Sequence, residues 1–123
     1  MKVNQKDENA ILQKLGIDAL NPMQIKAHEV ISQHNEVILL ANTGTGKTLA
    51  FLLPIMAQMD PAISDIQLLI LVPSRELAIQ IEQVIREMGS GYKANAVYGG
   101  RAGTKDKMDL KHPPSILVGT PGR

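Results

Sequence analysis

The chain has 123 residues, 44% of them hydrophobic, which is enough apolar content for the core of one small domain. Its formal net charge of +1 creates no global attraction to nucleic acid, so any RNA binding has to come from a local group of cations and backbone amides. The absence of cysteine excludes disulfides and thiolate metal sites, and the N-terminal stretch carries acids and no apolar run, which excludes a secretion signal. We therefore expect a cytoplasmic protein without a membrane span.

The first predicted elements are two short helices. Apolar side chains recur at helical spacing over residues 9–15 and 22–34, and Gly16 is placed to end the first helix. Val37–Ala41 is a continuous apolar run of strand length, and the run KTLAFLLPIM, which follows a glycine-rich loop, is too long for a strand. The order therefore predicts strand, loop and helix, with Pro54 kinking or shortening that helix.

The second half of the chain continues the alternation of strands and helices. Residues 66–72, 93–98 and 115–119 are predicted strands, and residues 104–110 a short helix. Ser74 starts an amphipathic helix whose apolar stripe consists of Leu77, Ala78, Ile81, Val84, Ile85 and Met88. Because parallel strands need crossover connections, this alternation predicts an α/β fold with a mostly parallel sheet and helices on both faces.

The loop after the first predicted strand resembles a phosphate-binding P-loop, although alanine stands where the usual pattern begins with glycine. Its residues are Ala41, Asn42, Thr43, Gly44, Thr45, Gly46, Lys47 and Thr48. Between a strand and a helix, successive backbone N–H groups and the helix N-terminus converge on one anion site. Lys47 would then reach the β- and γ-phosphates and the Thr48 hydroxyl would help to hold Mg²⁺. The alternative is an ordinary glycine turn followed by an exposed lysine.

Upstream of this loop, Asn21-Pro22-Met23-Gln24 fits a capping box with Asn at the N-cap, Pro at N1 and Gln at N3. On its own this segment therefore has a purely structural explanation.

Taken with the loop, Asn21–Gln24 resembles the Q motif of DEAD-box RNA helicases. Three later segments resemble the motifs of that family in the same order: Pro73-Ser74-Arg75-Glu76-Leu77-Ala78 is similar to motif Ia, Tyr98-Gly99-Gly100 to the GG motif, and Thr120-Pro121-Gly122-Arg123 to motif Ib. The resemblance implies a RecA-like domain that binds ATP with Mg²⁺ and has RNA as its partner. It also implies that Gln24 reads the adenine, which an amide can do because it offers a donor and an acceptor side by side, as the adenine edge does. This role is compatible with the capping box.

Each later motif follows a predicted strand, and in parallel α/β sheets ligands bind beyond the carboxyl ends of the strands. The strand ends at Ala41, Val72, Tyr98 and Gly119 are expected to share one edge of the domain. The expected RNA-backbone contacts are Pro73, Ser74, Arg75, Gly99, Gly100, Arg101, Thr120, Pro121, Gly122 and Arg123. Each segment alone also fits an ordinary solvated turn or loop.

The sequence also departs from the family pattern. No aromatic residue precedes Asn21, Ile17 stands where the family usually has Phe, and no Asp-Glu-Ala-Asp segment occurs. That acidic segment would supply the carboxylates for Mg²⁺ and the attacking water, so we expect these residues alone not to hydrolyse ATP. Residues 1–35 are expected to form the Q-motif helices, and residues 36–123 an incomplete RecA-like core. Its open strand edges predict an oligomer or strand exchange.

Two alternatives stay open at this stage. One is a different P-loop NTPase or small-molecule kinase, which would use Lys47 in the same way and owe nothing to Arg75, Gly100 or Arg123. The other is a short nucleotide- or RNA-binding module without catalytic activity. The three histidines lack ligand-like spacing, and no transition metal held by protein side chains is expected.

Overall fold

The structure is a computed structural model and describes residues 5–42, 44, 46–99 and 112–122. The chain divides into two compact units, Met1–Asp60 and Pro61–Arg123. The predicted helix at 104–110 lies outside the described residues. No described helix is long and apolar enough to cross a membrane.

The first unit contains three helices, α1 (Gln5–Lys14), α2 (Pro22–Gln33) and α3 (Lys47–Met56). Helix α1 ends as its sequence predicts: Gly16 adopts φ +72°, its N–H donates to the Gln13 carbonyl at 3.1 Å, and the Ile17 N–H donates to the Leu12 carbonyl at 2.9 Å. This pair of bonds is a Schellman motif, which needs a left-handed residue that glycine provides without steric cost.

Helix α2 packs against α3, and most of the apolar core of this unit lies on α3. Leu52 and Met56 are fully buried, and the helix continues through Pro54 to end two residues later. On α2, His28 Nε2 lies 3.6 Å from a carboxylate oxygen of Glu8, a buried acid of α1. No carboxylate neighbour of His28 is evident from the sequence, because spacing along the chain does not show a contact between two helices.

The prediction of a strand at Val37–Ala41 is wrong. No residue of this segment has strand pairing, and Ile38 and Leu40 are 87% and 88% exposed. Val37 and Leu39 instead line a cavity of about 460 Å³ together with residues of α2 and α3. A strand exists only when a neighbour takes up its backbone hydrogen bonds, and an apolar run cannot specify that neighbour. Alternate side chains of the segment thus differ in degree, since Val37 (38% exposed) and the half-buried Leu39 are less exposed than Ile38 and Leu40.

The second unit is a three-stranded parallel sheet with one described helix. Its strands are β1 (Leu68–Leu71), β2 (Ala94–Val97) and β3 (Ile116–Gly119), in the order β1-β3-β2. Both pairings are parallel, and Leu71 and Val97 are each in register with Gly119. The three strands predicted in this half are thus confirmed, with shorter bounds.

Helix α4 (Arg75–Met88) connects β1 to β2 and contacts β2 and β3. Ser74 caps its start, and Gly89, with φ +59°, ends it. The predicted apolar stripe supplies its buried side chains, which are Ala78, Ile81, Ile85 and Met88. Burying a side chain of the size of isoleucine or methionine stabilises a fold by about 1.5 to 3 kcal/mol. In the sheet, four residues that share one face by register are also buried, namely Ile70, Ala96, Ile116 and Val118.

The two outer strands of this sheet differ. The Ala96 N–H of β2 donates to Glu82 Oε2, and the other oxygen of that carboxylate accepts from Arg86 Nη2 at 3.1 Å. A carboxylate at this position hinders pairing of β2 with a further strand. On β1, Leu69 and Leu71 are exposed.

Candidate functional site

The start of α2 is a complete capping box, as the sequence predicts. Asn21 Oδ1 accepts from the Gln24 backbone N–H at 2.9 Å, and Gln24 Oε1 accepts from the Asn21 backbone N–H at 2.9 Å. Pro22 occupies the first helical turn, where its missing N–H has no cost. The box fixes the backbone and also the Gln24 side chain.

Gln24 makes a third hydrogen bond that no local pattern indicates. Its Nε2 donates to the Gly46 carbonyl at 3.1 Å, across 22 positions in the chain, and the residue is only 6% exposed. The predicted adenine-reading amide therefore links the start of α2 to the end of the glycine loop.

The loop requires glycine at position 46 for two reasons. Gly46 adopts φ +85°, in the left-handed region, and a Cβ built there would collide with Gln24 Nε2. Gly44 has φ +82°, but a Cβ added there would meet no atom within 4 Å, so only its backbone conformation favours glycine. Of these two glycines, only Gly46 packs closely against the Gln24 amide.

Helix α3 begins directly after this loop, with Gly46 as its N-cap and no side-chain cap on its first N–H groups. Lys47 and Thr48 form its first turn and are half-buried. Ala41 is half-buried, Asn42 is exposed, and Thr43 and Thr45 lie outside the described residues. A helix start with uncapped amides, a lysine and a hydroxyl can bind an anion and its cation.

A second group of predicted residues meets at the carboxyl ends of the parallel strands in the other unit. The ladder extends past the strands, since Val72 N–H donates to the Gly119 carbonyl at 3.0 Å and Thr120 N–H donates to the Val97 carbonyl at 3.1 Å. The described residues that follow these ends are Pro73, Ser74, Arg75, Gly99, Thr120, Pro121 and Gly122. Gly100, Arg101 and Arg123 lie outside the described residues.

At this edge the start of α4 carries an exposed ion pair. Arg75 Nε lies 3.0 Å from Glu76 Oε1, and their side chains are 62% and 73% exposed. The pKa of the Glu76 carboxyl is lowered, chiefly by the hydrogen bond from Arg75, then by a backbone hydrogen bond at Glu76, with the Arg75 charge adding a smaller effect in the same direction. Ser74 Oγ accepts from the Leu77 N–H at 3.2 Å, so one first-turn amide is already bonded.

Among the described residues there is no group of three or more histidine or acidic side chains placed to hold a metal ion.

The parallel sheet with its helices has the architecture of a truncated RecA-like α/β domain, and solved structures agree. A hypothetical ATP-dependent RNA helicase from Sulfolobus tokodaii matches 98% of this chain and 34% of its own, with a TM-score of 0.79 and 32% identity. The DEAD-box helicase Mss116, bound to ssRNA and UDP-BeF, matches 98% of this chain and 27% of its own, with a TM-score of 0.83 and 31% identity. The predicted fold class is confirmed.

The family model for DEAD/DEAH box helicases matches residues 21–123, and the chain belongs to that family. The ATP-dependent RNA helicase DHH1 of Kluyveromyces lactis is 41% identical over 110 residues, which are 88% of this chain and 21% of that protein. The probable ATP-dependent RNA helicase YfmL of Bacillus subtilis is 43% identical over 110 residues, 88% of this chain and 29% of that protein. The chain thus spans between a fifth and a third of these relatives.

Proposed function

We propose that these residues are the nucleotide-binding front part of an ATP-dependent RNA helicase of the cytoplasm, with residues 1–35 as the Q-motif helices and 36–123 as an incomplete RecA-like core. The hydrogen bond from Gln24 to the Gly46 carbonyl carries the proposal, because it brings the amide that we assign to base reading next to the start of α3. A neutral amide, uncapped helix amides and a lysine are complementary to a base, phosphates and their charge.

In this proposal the backbone N–H groups of residues 41–48 surround the phosphates, and Lys47 contacts the β- and γ-phosphates. The Thr48 hydroxyl is a hard oxygen ligand that suits Mg²⁺, and both side chains lie in the first turn of α3. Mg²⁺ would neutralise phosphate charge when bound. The DEAD-box helicase Mss116 is bound to UDP-BeF in its solved structure, which supports a nucleotide site in this chain.

Replacing Lys47 by alanine tests this assignment. Loss of one charge-assisted contact should weaken Mg-ATP binding by roughly 10-fold to 100-fold in calorimetry while circular dichroism stays unchanged. Lys26→Ala is the matched control, since Lys26 is an exposed lysine of α2 that pairs with Glu29. Equal ATP affinity in Lys47→Ala and Lys26→Ala would exclude a phosphate role for Lys47.

Hydrolysis is a separate matter. These 123 residues contain no Asp-Glu-Ala-Asp segment, and phosphoryl transfer depends on a positioned metal, nucleophile and charge. We expect nucleotide binding without turnover from these residues alone, with helicase activity belonging to the whole protein. RNA-stimulated phosphate release by the pure 123-residue chain would contradict this expectation.

RNA is proposed to bind at the carboxyl ends of β1, β2 and β3. Three strand ends in register bring Arg75, Gly99 and Thr120–Gly122 to one edge, where the exposed Arg75 guanidinium and backbone amides suit phosphates rather than bases. Arg101 and Arg123 are the further proposed cations.

Fluorescence anisotropy with a labelled single-stranded RNA, measured over a salt series, tests the RNA proposal. Arg75→Ala should weaken binding and reduce the salt slope by about one. Arg86→Ala, at the other end of α4, removes an equally exposed arginine and should change neither. If both variants bind RNA as the parent does, Arg75 does not contact RNA and this edge is not the RNA site.

We also propose self-association through β1. Among the described residues β1 pairs on one side only, and Leu69 and Leu71 expose 56% and 64% of their surface. An unprotected apolar edge invites pairing with another strand, whereas Glu82 covers an N–H on β2. Light scattering should show an oligomer that Leu71→Lys shifts toward the monomer. A monodisperse monomer of the parent chain would contradict the proposal.

A further inference from the structure

The outer edge of β2 offers few backbone groups to a further strand. On the inner edge, the Lys93 and Val97 carbonyls accept hydrogen bonds from the β3 side, the Val97 carbonyl from Thr120 N–H at 3.1 Å. Because successive residues of a strand direct their backbone groups to opposite edges, Ala94 and Ala96 direct theirs away from β3. β2 has four residues, so a further strand could use only these two N–H groups.

One of the two N–H groups is already bonded to a side chain. Ala96 N–H donates to Glu82 Oε2, and Arg86 Nη2 donates to Glu82 Oε1 at 3.1 Å. The Glu82 side chain is only 20% exposed, whereas that of Arg86 is 69% exposed. Hydrogen bonds to an ionised acceptor are stronger than those between neutral groups. The carboxylate is therefore held against the edge of β2 by a backbone group and by a cation.

A strand that approached β2 would have to displace this carboxylate. Displacement would free the Ala96 N–H for the new strand, but it would leave the charge of Glu82 beside the new contact with less water and without its backbone donor. Burying a charge that has lost its partner costs more than one additional backbone hydrogen bond returns. Glu82 therefore opposes pairing at β2, although it bonds to only one residue of the strand.

The opposite edge of the sheet, at β1, is suited to pair with β2 of a second copy. β1 and β2 have four residues each, and both run parallel to β3. Placing β1 of one copy beside β2 of another therefore continues the parallel sheet in the same direction. Leu69 and Leu71 are 56% and 64% exposed, so this contact would also remove apolar surface from water.

The two pairings that β1 could make differ in how far they extend. Two copies that join β1 to β1 use the same edge twice, and such an isologous contact closes at a dimer. Copies that join β1 to β2 leave an unused edge at each end, and such a heterologous contact adds further copies until it closes into a ring or forms a filament. The state of the β2 edge therefore determines the size of the assembly.

We propose that Glu82 closes the β2 edge to the β1 strand of a second copy, and so limits self-association of this chain to a dimer through β1. The inference rests on the proposed self-association and adds to it the residue that stops its growth. The excluded partner is a second copy of the same chain. The contact would be made by Ala94 and Ala96 on one side and by Leu69 and Leu71 on the other.

Glu82→Ala removes the carboxylate and tests the inference by light scattering over a concentration series. The parent should stay at the mass of a dimer, whereas the mass of Glu82→Ala should grow with concentration beyond that value. Glu87→Ala is the matched control, since Glu87 is an exposed acid of the same helix that accepts from Gln83. Equal masses of Glu82→Ala and Glu87→Ala at every concentration overturn the inference.

Leu71→Lys combined with Glu82→Ala distinguishes strand pairing from aggregation of a less stable chain. A charge on β1 opposes its pairing with β2, so the double variant should have a mass no greater than that of the parent. Assemblies of the same size with and without Leu71→Lys overturn the inference, because β1 then takes no part in them.

Hydrogen exchange at the Ala96 amide gives a readout within the strand itself. In the parent, Glu82 should protect this amide at every concentration. In the assemblies of Glu82→Ala the amide should stay protected, because β1 of the neighbouring copy accepts from it, and in the double variant with Leu71→Lys it should exchange faster. Fast exchange at Ala96 within the assemblies of Glu82→Ala overturns the inference.

The outcomes separate the role of Glu82 from the proposed self-association. If the parent is a monomer, and Glu82→Ala forms assemblies that Leu71→Lys disperses, the contact through β1 alone is wrong and Glu82 still closes β2. If the parent and Glu82→Ala are both monomers, or if the parent itself grows beyond a dimer, Glu82 does not control pairing at β2.

Discussion

Two helices of this protein begin with the same kind of cap, but the side chains that follow the cap differ in charge and in exposure. At the start of α2, Asn21 caps the helix and the neutral Gln24 side chain is held by the protein at two points. At the start of α4, Ser74 caps the helix and the charged pair Arg75–Glu76 extends into solvent. The cap therefore determines only where the helix begins. The residues after it determine whether the side chain that meets a ligand is held in one position or can move.

The difference suits the two proposed ligands. Distinguishing one base edge from another requires donor and acceptor atoms in set positions, which burial and internal hydrogen bonds provide. A phosphate backbone repeats the same charge at each nucleotide, so an exposed arginine with rotational freedom is sufficient. Exposed ion pairs add little to stability, which leaves Arg75 able to exchange Glu76 for a phosphate.

The largest expected effect is a loss of stability when the contact between Gln24 and Gly46 is removed. Gly46→Ala and Gly44→Ala both place a Cβ on a backbone with positive φ, at a cost of roughly 1 to 2 kcal/mol each. At Gly46 the methyl group also displaces the Gln24 amide, so the free energy of unfolding should fall by about 1 kcal/mol more than at Gly44, as for one lost hydrogen bond. Urea denaturation measures both.

Gly44→Ala is the matched control, because nothing lies within 4 Å of the added methyl group there. Equal losses of stability in the two variants would mean that the Gln24 contact contributes nothing beyond the backbone conformation.

A smaller effect is expected at the start of α4. Ser74→Ala removes the acceptor for the Leu77 N–H and should lower the free energy of unfolding by about 1 kcal/mol. Ser74→Thr keeps a hydroxyl at the cap and should lose much less. A stability of Ser74→Ala equal to that of the parent in urea titrations would show that water replaces the cap without cost.

The features that sequence predicted well are those set by neighbours in the chain. Asn21 and Gln24 are three positions apart, as are Ser74 and Leu77, so the capping pattern contains both partners of each hydrogen bond. The stripe of α4 is likewise a local periodicity. These elements could be placed to within a residue or two.

The features that sequence missed depend on distant partners. The apolar run at 37–41 resembles a buried strand. A strand needs a second segment to pair with, however, and the run itself does not specify that partner. The Gln24 contact with Gly46 and the Glu82 contact with Ala96 span 22 and 14 positions. Neither spacing corresponds to a local motif, so only the folded chain reveals them.

The smallest expected effect concerns pH and the Arg75–Glu76 pair. Because Arg75 donates to the Glu76 carboxyl, the pKa of Glu76 lies below its ordinary value of 4.5. A lowered pKa in the folded state stabilises the fold above the unfolded pKa, and this contribution is lost as pH falls through the folded pKa. Since both side chains are mostly exposed, solvent screens the pair and its contribution to overall stability is small, so the quantity to measure is the pKa of Glu76 itself.

Arg75→Ala should therefore raise the pKa of Glu76 toward its ordinary value in a carbon-detected nuclear magnetic resonance titration. Arg86→Ala, which alters a different pair on the same helix, should leave the titration of Glu76 as it is in the parent. The same pair predicts that Glu76→Gln strengthens RNA binding modestly at low salt, because Arg75 then has no carboxylate to leave when it meets a phosphate. Unchanged RNA affinity in Glu76→Gln, together with loss of affinity in Arg75→Ala, would mean that Arg75 contacts RNA without releasing its neighbour.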